Sequence, residues 1–306
     1  MIIPKCEYSN GFYYEFDEYI SYNPKDNKRI YYRKCLSESL QKLENNENKI
    51  LQATYSAKEI KSKNSKFIDL DNMLFYNIPK KPFNNLCQKG LRFEFQHQDI
   101  SEHHYRYELV DKEESFPRYW NRDCLMICWN IDWNDVYCQL HKDGNIQDNT
   151  MRIKTTSGAH IFWYALKSNP KSVNVRHYLN KADETSQFGL QIELSIPMKQ
   201  SVNLATLEKA IIDGTISAFH RCIPNICGTQ EMSSRMGISK ELFGKYLDNE
   251  DISILRKTEL IEKKYGYQWN PDDHKCVFGE IILNNNITNG NCKFSGKLYT
   301  VKPKQS

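Results

Sequence analysis

No stretch of this sequence approaches the roughly 18 consecutive apolar residues that a membrane-crossing helix needs. The opening residues, MIIPKCEYSNGFYY, lack the basic start, apolar run and small-residue cleavage site of a secretory leader. No C-x-x-C pair occurs among the ten cysteines, and their scatter reads as reduced, mostly buried thiols rather than a disulfide framework. Together these absences give the expectation of a cytoplasmic protein with no membrane partner. Charge of one sign is also scarce. Lys and Arg number 42 against 38 Asp and Glu, a net +4, which permits a local basic patch but does not by itself imply nucleic acid. A glycine-rich phosphate loop, a G-x-S-x-G elbow, a kinase signature, H-E-x-x-H and an EF-hand loop are all missing. The commonest nucleotide-cofactor and hydrolase families are thereby disfavoured. No repeat at solenoid periods is present.

What remains is a chain of 306 residues, 40% hydrophobic and rich in aromatics, long enough to bury a core without disulfide or metal staples. Residues 1–66 are polar and weakly periodic, with one helix expected over 35–50, and read as an extension packed on the core. Residues 67–197 alternate in short runs. GLRFEFQHQ (90–98) and HHYRYELV (103–110) predict strands joined as a hairpin by DISE. CLMICWNIDW (124–133) and VYCQL (136–140) flank an Asn-Asp turn; TMRIKTT (150–156), AHIFWYAL (159–166) and GLQIELSIP (189–197) complete about seven strands. Residues 198–283 turn helical over 203–222, 239–248 and 255–264, ending in a strand, and 284–306 read as a loosely ordered tail. The expected class is α+β, a mainly antiparallel sheet packed by C-terminal helices.

Period two places His104, Arg106 and Glu108 on one face of the 103–110 strand, with Arg92 and Glu94 on the matching face of 90–98. Histidine titrates near neutrality, glutamate takes a proton or a metal, and arginine holds an anion. The plain alternative is a solvent face laced with cross-strand Arg–Glu pairs. In FIDLDNMLFYNIP (67–79), Asp69 and Asp71 share one side of an extended segment, a pattern that can ligate Mg²⁺ or Mn²⁺. An Asp/Asn cap is the structural alternative. The stretch Asp69 to Asn72 resembles the D-x-D-N stretch of RusA-type Holliday-junction resolvases, which implies metal binding by the two aspartates for phosphodiester cleavage. That family's strongly basic helix has no counterpart here.

Lys209, Asp213, Ser217 and His220 lie along one stripe of the 203–222 helix, spread too far along it for a Ser-His-Asp triad, and read as a solvated face. Cys124, Cys128, Cys138 and His141 have superficial zinc spacing, but strand geometry separates the first two beyond any tetrahedral site. NPDDHKC (270–276) offers Asp272, Asp273 and His274 in a turn. TQEMSSRMGISKELFGKYL (229–247) fits a helix-turn-helix template with Gly237 at the turn and Arg235, Lys240 and Lys245 available to phosphates. KEIKSKNSK (58–66) is a basic loop.

The leading expectation is a nucleic-acid- or nucleotide-acting protein, a metal-dependent phosphodiester hydrolase. Asp69 and Asp71 hold the metal, His104 is the general acid or base with Glu108 assisting, Arg92 and Arg106 hold phosphate, and Tyr105 and Trp129 stack bases. The competing class is a non-catalytic binding or interaction module for a protein or DNA partner.

Overall fold

The computed structural model describes residues 6–17, 19–20, 27–44, 48–60, 69–144, 153–154, 157–177, 186–264, 266–287 and 290–304. In chain order they form β1 (Cys6–Tyr8), β2 (Gly11–Phe16), α1 (Asn27–Gln41), β3 (Lys49–Ala57), α2 (Leu70–Phe75), α3 (Lys80–Leu86), β4 (Gly90–His97), β5 (His103–Asp111) and β6 (Trp120–Asp132). There follow α4 (Trp133–Asp143), α5 (Ala159–Ser168), β7 (Val173–Val175), β8 (Phe188–Pro197), α6 (Leu204–Ala218), β9 (Arg221–Ile223), α7 (Ile226–Met236) and α8 (Lys240–Leu247). The last elements are β10 (Lys257–Glu259), β11 (Ile261–Lys263), β12 (Gly266–Gln268), β13 (Cys276–Ile287) and β14 (Lys293–Pro303).

Among the described residues ten strands make one sheet, in the order β1-β2-β5-β3-β4-β13-β8-β14-β6-β7. Every neighbouring pair is antiparallel except β3–β4 and β13–β8. The fold is thus mixed α and β with a mostly antiparallel sheet, larger than the seven strands expected.

The order hides a duplication. The first half runs β2, α1, β3, α2 and α3, β4, β5; the second runs β6, α4 and α5, β8, α6, β13, β14. In each half the second and third strands are parallel neighbours, and the fourth lies antiparallel between the second and the first. The halves meet antiparallel at β4 and β13, where Arg92 faces Glu280. One line of Cα partners runs across seven adjacent strands, from β5 to β6: Glu108, Gln52, Arg92, Glu280, Gln191, Lys297, Cys128. A pseudo-two-fold between Arg92 and Glu280 therefore equates Gln52 with Gln191 and Glu108 with Lys297. Between α6 and β13 the second half carries an insertion, with α7, α8 and the short strands β9 to β12.

One face of the sheet is apolar and packs on the helices. Tyr14, Tyr32, Tyr55, Tyr105, Tyr107, Phe12 and Phe16 are all buried there, which is where much of the aromatic content goes. Their hydroxyls find partners inside: Tyr14 with Ser39 at 3.0 Å, Tyr32 with Tyr107 at 3.3 Å, and Tyr105 accepting from Ile20 N at 3.1 Å. A buried tyrosine left unpaired would lose the desolvation cost of its hydroxyl, so these bonds fix ring orientation as well.

Several expectations change. VYCQL is not a strand but the middle of α4, whose first turn holds the expected Asn134-Asp135 turn; Asp132 caps it, accepting from Asn134 N at 2.9 Å. AHIFWYAL is helix α5, buried from Ile161 to Lys167. A short unbroken apolar run fits a buried helix as well as a buried strand, and periodicity cannot separate them. β4 and β5 do not pair with each other, because β3 lies between them. That interior strand comes from the supposed N-terminal extension, and the expected helix of 35–50 ends at Gln41. The supposed loose tail is β14, paired on both sides, and 255–264 forms short strands rather than a helix. The 150–156 strand and most of the 58–66 loop lie outside the described residues, and Ile153 and Lys154 are in no strand.

Gly214, which by propensity weakens α6, has a packing role. A Cβ there would stand 2.3 Å from Ala159 O and 2.9 Å from Phe162 Cβ, so its absence lets α5 and α6 cross in contact.

Candidate active site

Three of the polar stretches picked out by sequence converge at one point. Lys209, on α6, places Nζ 2.7 Å from Asp213 Oδ1, 3.0 Å from Asp273 Oδ2, 3.1 Å from Asp71 Oδ2 and 3.5 Å from Asp69 Oδ2. Asp213 is one helical turn from Lys209, so the pair follows from i, i+4 spacing. Asp273 opens a short 3₁₀ turn leading into β13. Asp69 and Asp71 come from the first half. Asp69 is the extended residue just before α2 and Asp71 lies in its first turn, so the two do not share an extended segment as expected. Asn72 Nδ2 donates to Asp69 Oδ2 at 2.5 Å, holding that carboxylate at the helix start. The group thus joins the two halves on the helix side of the sheet.

Its electrostatics are unbalanced. Four carboxylates surround one ammonium, and Glu208 adds a fifth, buried carboxyl whose Oε1 has no hydrogen-bond partner. Burial pushes Asp69 up to about 6, with Asp273 adding to the rise and Lys209 opposing it. Burial likewise pushes Asp213 and Asp273 up to about 6 against the pull of Lys209. Asp71 and Glu208 are raised as well, by burial first. For Lys209, burial alone would lower the pKa, but Asp71, Asp213, Asp273 and Asp69 outweigh it and hold the ammonium charged. Clustering of perturbed groups of this kind is characteristic of functional sites. Among the described residues no three His, Cys, Asp or Glu side chains are grouped to hold a metal directly; the centre of this group is held by Lys209 Nζ.

His274 flanks the group, half-buried, its pKa lowered by burial against the opposing charges of Asp272 and Asp69. Tyr76, at the end of α2, is 40% exposed, and Arg33 donates to its carbonyl at 2.9 Å.

The other expected site residues lie elsewhere. Tyr107 Oη donates to Leu74 O in α2 at 2.9 Å, so α2 packs on the Tyr107 side of β5. Period two then puts His104, Arg106 and Glu108 on the opposite face, away from Asp69 and Asp71. There His104 Nε2 is 3.7 Å from Glu15, and Glu108 pairs with Arg118. Arg92 is buried, its guanidinium engaged within the protein, with Nε 2.6 Å from Glu280 Oε1 and Nη2 2.8 Å from Lys112 O. Tyr105 and Trp129 are core rings, closed to a base.

Nor is there a triad on α6. His220 is fully buried, its Nδ1 2.8 Å from Arg256 O while Nε2 accepts from Asp272 N at 3.2 Å. Those partners define the neutral Nδ1–H tautomer, and burial pushes its pKa down to about 4. The helix-turn-helix pattern is realised locally. Gly237 ends α7 at φ 69°, and Ser239 caps α8, accepting from Leu242 N at 3.1 Å. Arg235, however, is tied to Glu231 and Tyr267 O.

Sequence reasoning named Asp273 and Lys209 but did not connect them to Asp69 and Asp71, and it left Glu208 out. The i, i+4 pair was the available signal. No protein-family model matches this chain, and no curated protein matches it significantly.

Proposed function

We propose that the protein is a divalent-metal-dependent hydrolase of phosphodiesters, acting on nucleic acid or nucleotides, with its centre at the Lys209 group. The observation that carries this reading is the surplus of carboxylates there: Asp69, Asp71, Asp213 and Asp273 share one ammonium at 2.7–3.5 Å. Burial raises three of them to about 6, and repulsion from the neighbouring aspartates adds to the rise. Asp69, Asp71, Asp213 and Asp273 would hold a hard dication, since carboxylate oxygens are the donors Mg²⁺ and Mn²⁺ prefer, and it would supply the positive charge that polarises a phosphoryl oxygen. Lys209 is a point charge on a flexible four-carbon stem. With the carboxylates so engaged, its ammonium would be available to phosphate oxygens. His274 serves as proton carrier in place of His104, and Glu108, Arg92 and Arg106 take no part.

The test is cleavage of labelled DNA, RNA and nucleotides with Mg²⁺ or Mn²⁺ added. Asp69→Ala with Asp71→Ala should abolish turnover; unchanged turnover would sink the assignment. A second reading, a non-catalytic protein-binding module, is favoured by the polar sheet face of the second half, where Asn130, Glu193 and Lys297 stand exposed.

A further inference from the structure

The two halves of the sheet share a topology but differ in what covers their polar faces. In the first half that face is closed. Gln52, Thr54, Arg92, Glu94 and Glu108 are buried beneath residues 112–119, which leave β5 in a turn and cross back over the strands as an irregular strap of turns and bends. Glu94 accepts from Arg118 N at 3.1 Å and Tyr119 N at 2.6 Å. The Arg118 guanidinium pairs with Glu108, and Lys112 O receives Arg92. Phe116 lies over the Arg92 guanidinium at 5.0 Å and edge-on to Phe278.

In the second half the same face forms a groove of about 480 Å³ lined by Asn130, Asn174, Gln191, Glu193, Ser295 and Lys297, large enough for several residues of ligand. Lys297 holds the position that Glu108 holds in the first half, by the shared line of strand partners. It is exposed and has no hydrogen-bond or ion-pair partner among the described residues. The charge at the equivalent point is therefore inverted, and so is the charge that complements it.

We propose that this groove binds a peptide segment of a partner protein, carrying an acidic side chain opposite Lys297, as residues 112–119 carry Arg118 opposite Glu108. The first half shows which ligand geometry such a face accepts: a strap whose backbone and one charged side chain both reach the sheet. Glu193 and Glu280 line the groove beside Lys297, so it has no excess of positive charge for a polyanion, and this weighs against a nucleic-acid strand. A rim charge pair of this kind selects its partner more than it adds affinity.

The probes are two fluorescein-labelled peptides, KEESFPRY (residues 112–119) and its variant with the arginine replaced by glutamate, titrated against the full chain by anisotropy. The glutamate peptide should bind about tenfold more tightly than the native one, a difference of about 1.4 kcal/mol. Lys297→Glu, at an exposed position that leaves the fold intact, should reverse the order. Equal affinities, absence of binding by both peptides, or preference unchanged by Lys297→Glu would overturn the proposal. So would a labelled oligothymidylate that binds in a Lys297-dependent way while neither peptide does.

Discussion

Arg92 and Glu280 meet where the two halves of the sheet join, the guanidinium Nε 2.6 Å from the carboxylate and both side chains almost wholly out of water. Gln191 Nε2 donates to the second carboxylate oxygen at 2.7 Å, so Glu280 is bound from both halves. Removing one partner of such a pair leaves a buried charge uncompensated, which costs about 3–5 kcal/mol, whereas replacing both by apolar groups is often neutral. Arg92→Met should therefore destabilise by about 3 kcal/mol or more in urea unfolding. Arg92→Met with Glu280→Met should recover most of that loss, short of about 1 kcal/mol for the orphaned Lys112 carbonyl. Additive losses in the double variant would show that the pair is not coupled.

Asp69 should be a site where stability and function oppose each other. Its carboxyl titrates near 6 in the folded chain against an ordinary 3.8. Between those values the native state holds a proton that the unfolded chain has lost, so this group's contribution falls as pH rises through that window. Asp69→Asn, which keeps a residue suited to the start of α2, should raise stability by about 1–2 kcal/mol at pH 8, a value discounted for the residue's partial exposure. The gain should vanish near pH 4, and metal-dependent activity should be lost throughout.

Gly214→Ala inverts the usual expectation for a helix interior. Alanine is favoured over glycine by about 1 kcal/mol in helices, yet here its Cβ meets the Ala159 carbonyl at 2.3 Å. Overpacking of this kind costs about 1–3 kcal/mol. The substitution should lower the thermal midpoint, and Gly214→Ser should lower it further. An increase in midpoint would mean that α5 and α6 are not in close contact.

Strands with clean apolar/polar alternation were legible in the sequence; 90–98, 103–110 and 189–197 are β4, β5 and β8. β3 was not: it lies inside the stretch 1–66 that reads as a polar extension, although Leu51, Ala53 and Tyr55 alternate with Gln52, Thr54 and Ser56, and both faces prove to be buried. The duplication was also hidden. It is a repeat of topology with the polar line rewritten, Glu108 becoming Lys297 and Arg92 becoming Glu280, and the insertion of α7 and α8 removes any fixed period. For the site, each carboxylate was legible singly. Their convergence was not, since Asp69 and Asp71 reach Lys209 only once β4 and β13 have joined the halves. The same geometry removed His104 and Glu108, because one face of a strand cannot serve a site on the other.

The central claim is that the Lys209 group binds a dication. Thermal unfolding at pH 8 with millimolar Mn²⁺ or Mg²⁺, against EDTA, tests it most directly, since a ligand bound only by the native state stabilises it by about 2.7 kcal/mol at a hundred times its Kd. The midpoint should rise by several degrees in the unaltered protein. The rise should shrink as pH falls below about 6, where Asp69, Asp213 and Asp273 take up protons, and disappear in Asp71→Asn with Asp273→Asn. No shift with either ion at pH 8, or an equal shift in that double variant, would contradict the account.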